Sequence, residues 1–180
     1  MSGLELTAIG VGDAFSALYY SSCVLVEHSG SRLLIDCPHP IRKMLAEAGA
    51  ATGRDLDLDT VDAVVLTHLH ADHASGLEGY GYFSHFVLQR KARLLVHPAV
   101  HERLWDGHLA AGMECLMSPA DHHVHARGLS DYFEIVPLDT SRAVELGPFK
   151  VESRRTIHHV PTTALRISAG GLTLGYSADT

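Results

Sequence analysis

The sequence predicts an α/β protein, a mixed β-sheet with helices packed outside it. Three observations carry this. Strand-length apolar runs cluster toward both ends of the chain, helix-length amphipathic stretches lie between them, and the run Ala63-Val64-Val65-Leu66 opens directly onto a histidine-rich segment.

Residues 4–9 alternate apolar and polar and read as a strand, closed by a tight turn at Gly10-Val11-Gly12-Asp13-Ala14. That turn lacks the third glycine and the following helix of a dinucleotide-binding loop. Residues 22–27 and 31–36 form a hairpin through Ser29-Gly30. Residues 40–48 read as a helix, with Pro40 at its start and Gly49 at its end. The acidic stretch Asp55-Leu56-Asp57-Leu58-Asp59 suits a loop and helix N-terminus, where carboxylates complement the dipole. After the strand at 63–66, residues 75–88 read as a helix broken at Gly79 and Gly81, and 93–96 as a short strand. Residues 98–113 have helical periodicity with Val100, Leu104 and Leu109 inward, and 118–130 is a polar loop. Strands are expected at 132–138, 141–146, 149–157, 164–168 and 172–176.

The segment Thr67-His68-Leu69-His70-Ala71-Asp72-His73 places three imidazoles and a carboxylate within six residues of a buried strand's end. His68 and His70 are two apart, so an extended backbone turns both rings to one side. Asp72 and His73 fall where the chain turns and can face a second point nearby. Such a set suits two adjacent metal ions, a hydrolytic device with metals ~3.5–4 Å apart. A polar loop of solvated histidines is the competing reading.

The formal net charge of −7 disfavours broad nucleic-acid binding, which needs a basic surface. Arg90, Lys91 and Arg93 form one basic run, expected to be solvated surface. No 18-residue apolar stretch exists to span a membrane. The opening Met1-Ser2-Gly3-Leu4-Glu5 has no secretory pattern, and three cysteines without a C-x-x-C spacing point to a reducing cytoplasm. His122, His123 and His125 read as a solvated loop or pocket-mouth lid. His97, His101 and His108 read as helix-flanking histidines, Asp13 as a turn cap and Trp105 as a packing residue.

Four motifs together resemble the metallo-β-lactamase-fold hydrolases, across nearly the whole chain. They are Leu34-Ile35-Asp36-Cys37, the 67–73 segment followed by Gly76-Leu77, His158-His159-Val160-Pro161, and Gly175-Tyr176-Ser177-Ala178-Asp179-Thr180. The pairing of H-x-V-P with Y-S-x-D-T is similar to the ribonuclease Z and small phosphodiesterase branch, although the basic arm that holds tRNA is not evident. The resemblance implies a four-layer α/β/β/α sandwich formed by residues 1–180 as a single domain that stops before the family's C-terminal part. It implies a first metal held by His68, His70 and His158, a second held by Asp72 and His73, and Asp179 bridging both. Asp36 would support the ligand loop, and His159 would be a neighbouring support or face substrate.

The function implied is that of a dinuclear metal-dependent hydrolase, with zinc as the first expectation and manganese or iron as alternatives. Its nucleophile would be a metal-bridging hydroxide, with Asp72 as catalytic partner. The expected substrate is a small molecule or nucleotide with a phosphodiester bond, of cyclic-nucleotide or nucleic-acid-end type. Lactone, thioester or sulfate-ester hydrolysis on the same centre, or a non-catalytic metal-binding module, are the alternatives. The family also implies a homodimer. A final histidine ligand to the second metal, usual in the family, has no counterpart after His159.

Overall fold

The computed structural model describes residues 3–180. Strand β1 (Glu5–Gly10) pairs antiparallel with β2 (Cys23–His28). The chain turns through Ser29 and Gly30, both at positive φ, into β3 (Ser31–Ile35). Helix α1 (Ile41–Thr52) then crosses to β4 (Ala63–Leu66), which lies parallel to β3. Between them Asp57 caps a single tight turn at Leu58–Thr60.

Beyond β4 come the one-turn helix α2 (Ala71–Ala74) and α3 (Leu77–Tyr82), the latter prolonged by a wider π-type turn at Phe83–Val87. Strand β5 (Ala92–Val96) is parallel to β4. Helices α4 (Pro98–Leu104) and α5 (Ala110–Met113) are joined by a second π-type turn. A small hairpin, β6 (Cys115–Met117) with β7 (Val124–Ala126), precedes α6 (Leu129–Tyr132). Strand β8 (Phe133–Pro137) returns parallel to β5, completing a sheet ordered β1-β2-β3-β4-β5-β8. The last four strands, β9 (Val144–Leu146), β10 (Phe149–Arg155), β11 (Thr163–Ala169) and β12 (Leu172–Tyr176), make a second, antiparallel sheet ordered β12-β11-β10-β9.

The six-stranded sheet separates two cores. On one face Leu25, Leu34, Val64, Leu66, Leu94 and Val96 pack under the helices. On the other, Val26, Leu33, Ile35, Val65 and Leu95 meet Phe149, Val151, Leu165 and Ile167 of the second sheet. All four residues of β4 are fully buried, half toward each core, so its sequence is continuously apolar instead of alternating. Burial of each such Val or Leu contributes ~1.5–3 kcal/mol. The described residues thus stack as helices, sheet and sheet, three layers in the expected α/β/β order. The outward face of the second sheet exposes Lys150, Arg154, Arg166 and Thr173. Among the described residues no helix is long and apolar enough to cross a membrane. Met1 and Ser2, part of the segment read for a secretory pattern, lie outside the described residues.

Three local expectations need correction. Helix α1 does not end at Gly49 but continues to a left-handed cap at Gly53, φ +68°. Gly49 is buried in the helix because the Arg54 carbonyl oxygen passes 2.6 Å from where its Cβ would stand. Gly79 and Gly81 do not break α3; a Cβ at Gly81 would meet the Phe133 ring at 2.8 Å, so this glycine lets α3 approach β8. The polar stretch 118–130 is not all loop, since Val124–Ala126 pairs with Cys115–Met117. Its strands are exposed or half-exposed, which removes the alternation that marks a half-buried strand.

Candidate metal centre

Strands β3, β4, β5 and β8 run parallel, so their C-terminal ends share one edge of the sheet, where α/β folds place their sites. Asp36 follows β3 at that edge with φ +63°, a conformation uncommon outside glycine. The 67–73 segment follows β4. The two loops are laced together by Cys37 N–H to the His73 carbonyl (2.7 Å) and Gly76 N–H to the Cys37 carbonyl (2.7 Å). The contact is so close that a Cβ on Gly76 would lie 2.5 Å from the Pro38 oxygen. From the second sheet, Thr163 at the start of β11 donates its N–H to the Thr67 carbonyl (3.1 Å), bringing the preceding His158 loop alongside.

Asp36 is fully buried and organises the site. Its carboxylate accepts the Thr67 N–H at 2.8 Å and the Thr67 hydroxyl at 2.9 Å. It also lies 2.7 Å from His73 Nδ1. The Thr67 hydroxyl has one proton, and the carboxylate takes it. Thr67 Oγ1 must then accept from His68 Nδ1–H, 2.9 Å away. Both His68 and His73 are thereby held with Nδ1 protonated and with the Nε2 lone pair turned toward the cleft. This is the arrangement that orients imidazole ligands on metals.

Those lone pairs converge. His68 Nε2 is 3.0 Å from His70 Nδ1, which is 3.3 Å from His158 Nε2. Asp179 Oδ2 is 3.7 Å from both His68 Nε2 and His158 Nε2. One ligand atom from each of His68, His70, His158 and Asp179 lies within 4.8 Å of every other. A tetrahedral ion with bonds of ~2.0–2.1 Å needs donors about 3.3 Å apart, so this set fits one. Beside it, His73 Nε2 lies 3.6 Å from Asp72 Oδ2 and 3.5 Å from Asp179 Oδ1. Asp179 therefore offers one oxygen to each group. Ala178 just before it has φ +53°, a left-handed turn that carries Asp179 inward.

Electrostatics favour neutral, ligand-ready rings at His68 and His70. Burial pushes His68 down to about 3, with the neighbouring His73 adding to the effect. Burial also lowers His70, helped by His159. At His73 burial works downward, but the hydrogen bond and charge of Asp36 outweigh it and the direction is up. Burial raises the Asp36 carboxyl, and the hydrogen bonds and charge of His73 and the Thr67 bonds offset only part of the rise.

His159 is exposed, its ring centroid 4.6 Å from that of His70, and it belongs to the cleft wall, not to the converging donor set. The cleft is about 580 Å³ and is lined by His70, Asp72, His158, His159, Asp179 and Phe15, among others. The remaining histidines lie elsewhere. His97 Nδ1 accepts the Ala99 N–H and caps α4. His108 Nε2–H donates to the Ala74 carbonyl (3.1 Å). His122, His123 and His125 are exposed, and His125 pairs with Asp121 at 3.0 Å. Asp13 accepts the Phe15 N–H, a turn cap, and Trp105 packs on the helix-side core. Cys23 and Cys37 are buried, and Cys115 is exposed. Sequence reasoning assigned no role to Thr67, which couples Asp36 to His68; its place between a strand end and the first candidate ligand was the available signal. It also gave no place in the cleft to Phe15, which lines it.

Comparison with known proteins agrees with this fold. The fold matches YhfI from Bacillus subtilis, a metallo-β-lactamase-fold protein, with a TM-score of 0.73 and 22% identity over 98% of this chain and 62% of that one. Human tRNase Z, short form, matches with a TM-score of 0.64 and 19% identity over 97% of this chain and 68% of that one. At such identities these likenesses establish the fold. By sequence the chain is 38% identical over 161 residues to anti-Pycsar protein Apyc1 of Bacillus phage 010DV004, covering 88% of this chain and 58% of the relative. It is 30% identical over 177 residues to the protein of the same name from Paenibacillus xerothermodurans, covering 98% of this chain and 66% of the relative. The chain therefore spans roughly three-fifths of the length of these relatives. The fold expected from the motifs holds, and ribonuclease Z is among the fold neighbours. The family model for anti-Pycsar protein Apyc1 matches residues 4–180, and the chain belongs to that family.

Proposed function

We propose that this chain forms the metal-holding core of a hydrolase that opens phosphodiester bonds of cyclic nucleotides. One observation carries the reading: three imidazole nitrogens and a carboxylate oxygen within 4.8 Å of one another at the mouth of a nucleotide-sized cleft. Membership in the anti-Pycsar protein Apyc1 family supports it. His68, His70 and His158 would hold one divalent ion, Asp72 and His73 a second, and Asp179 would serve both. Zinc is the first choice for this donor set, with manganese or iron as alternatives. Bound there, such ions supply Lewis acidity toward a phosphoryl oxygen and make water acidic enough to attack near neutral pH.

The chain's own residues do the rest. Asp36, through Thr67 and directly, fixes the His68 and His73 rings so that their lone pairs need no reorganisation when charge develops. Asp72 lines the cleft and is the carboxylate placed to accept a proton from attacking water. His159 closes the wall beside His70 and orients the bound ester.

The test pairs metal analysis with a substrate panel. Protein purified without added metal is assayed by plasma mass spectrometry, then with cyclic nucleotides, a linear phosphodiester, a lactone, a thioester and an aryl sulfate. About two metal equivalents and turnover confined to phosphodiesters, cyclic ones foremost, are expected. Preferred turnover of a lactone, thioester or sulfate ester would replace the reading. Bound metal with no turnover of any substrate would favour a non-catalytic module.

A further inference from the structure

Phe15 stands at 93% exposure, and it lines the same cleft as His70, Asp72, His158 and Asp179. Leaving so large an aromatic ring in water forgoes the burial that normally fixes phenylalanine in a core. Its backbone is nevertheless held in place. Asp13 Oδ1 accepts the Phe15 N–H (2.9 Å), and the Asp13 carbonyl accepts the Ser16 N–H (3.3 Å). Ser16 Oγ in turn accepts the Tyr19 N–H (3.1 Å), and the Gly12 N–H reaches the Tyr20 carbonyl (2.7 Å). The loop between β1 and β2 thus presents a bare aromatic face at a fixed position beside the donor cluster. Among the exposed large apolar side chains of the described residues, Ile157, the residue before His158, is exposed to the same degree.

We infer that Phe15 is the stacking platform for the nucleobase of the substrate. The inference rests on the nucleotide reading above. A phosphodiester at the divalent ions that these His and Asp donors would hold leaves its sugar and base to extend along the cleft. Its volume of about 580 Å³ accommodates a mononucleotide and is in the range of small-molecule sites. The ions held by the donors would take the charged end of the ligand, and Phe15 is the cleft's large apolar ring, apart from the imidazoles. A ring face stacks on any base, so this platform would favour nucleotides over base-free phosphodiesters without selecting one base by hydrogen bonds. Phe15 is a binding and specificity residue here; it touches no reacting atom.

The experiment measures binding to the zinc-loaded chain by calorimetry, using a 3′,5′-cyclic nucleotide and the matching ribose cyclic phosphate that lacks a base. Wild type is compared with Phe15→Ala and Phe15→Trp. Loss of one stacked base weakens affinity about five- to one hundred-fold. The preference for the nucleotide over its base-free analogue is therefore expected to fall by that factor in Phe15→Ala and to return in Phe15→Trp. The Trp variant adds a second readout, quenching of its fluorescence on nucleotide binding. An unchanged preference in Phe15→Ala, or no preference in wild type, overturns the assignment. A preference that falls as expected in a protein that hydrolyses neither compound keeps the platform and rejects the hydrolase reading.

Discussion

The carboxylate of Asp36 lies 2.7 Å from Nδ1 of His73, although 37 residues separate them and they come after different strands. The same carboxylate holds the Thr67 hydroxyl, which holds His68 Nδ1. One buried acid thus sets the tautomer of two imidazoles, one in each half of the donor cluster. Its left-handed backbone and complete burial are costs that a purely structural loop would avoid.

Replacing Asp36 should therefore damage both halves of the site together. Asp36→Ala is expected to weaken metal binding ~10–100-fold, the usual effect of removing a partner that orients metal-bound histidine. It should also lower stability by ~1–3 kcal/mol for each buried donor left unsatisfied at Thr67 and His73. Competition against a chromophoric chelator, alongside urea unfolding of the metal-free protein, separates the two effects. Wild-type metal affinity in a folded Asp36→Ala protein would remove Asp36 from this role.

The two adjacent histidines after β10 make a sharper comparison. His158 Nε2 lies within 3.3 Å of His70 Nδ1, whereas His159 enters the cleft wall and not the donor set. His158→Ala is expected to lose the tightly bound ion under dialysis that leaves wild type loaded. His159→Ala should keep it. Metal analysis of both variants after the same dialysis decides, and a reversed outcome would exchange the two assignments.

The converging side chains were readable because metal ligands come from few residue types and the H-x-H-x-D-H spacing confines four of them to one turn of chain. His158 and Asp179 needed more, since 85 or more residues separate them from the first cluster. A family resemblance linked them; no local pattern did. Thr67 was hidden for a different reason. A threonine's hydroxyl serves many local hydrogen bonds, and only tertiary structure shows that an acid from the neighbouring strand lies beside it. The strands of the first sheet were legible where both faces are buried, as at β4. The β6–β7 hairpin was not, because exposed strands carry no periodic apolar signal.

Asp72 provides a test of the chemistry apart from metal capture by the three-histidine group. It lines the cleft and faces His73 at 3.6 Å. Asp72→Asn is expected to lower kcat/KM for a cyclic phosphodiester by ~10²-fold or more, the scale of losing a positioned proton acceptor. Metal analysis should still find the ion held by His68, His70 and His158. Near-normal turnover at saturating metal would leave Asp72 without the assigned role.

His97 predicts a pH dependence outside the donor cluster. Its Nδ1 must be unprotonated to accept the Ala99 N–H, and burial, together with nearby Arg155, lowers its pKa. The unfolded chain, with His near 6.5, then takes up the proton at a higher pH than the native protein does. The cap's contribution is therefore present above about pH 6.5 and declines as pH falls toward the lowered native value. Asparagine caps helices without titrating in this range. The difference in melting temperature between His97→Asn and wild type should thus move in favour of the variant from pH 7.5 to 5.5. A constant difference across that range would show that His97 does not couple α4 to protonation.

The end of α1 distinguishes two glycines with different reasons to be there. Gly49 has an ordinary helical backbone but no room, because its Cβ would sit 2.6 Å from the Arg54 carbonyl oxygen. Gly53 has room on every side but a left-handed backbone, φ +68°. A side chain at Gly49 must push the returning chain away from the helix, an overpacking cost of ~1–3 kcal/mol. At Gly53 the cost is conformational, and asparagine tolerates that conformation better than alanine. Gly53→Asn is therefore expected to be nearly neutral and Gly53→Ala about 1 kcal/mol destabilising. At Gly49, Asn should be at least as damaging as Ala, because size and not φ decides. Urea unfolding of the four variants reads both orders. If Asn were the milder substitution at both positions, backbone conformation and not the Arg54 contact would explain Gly49.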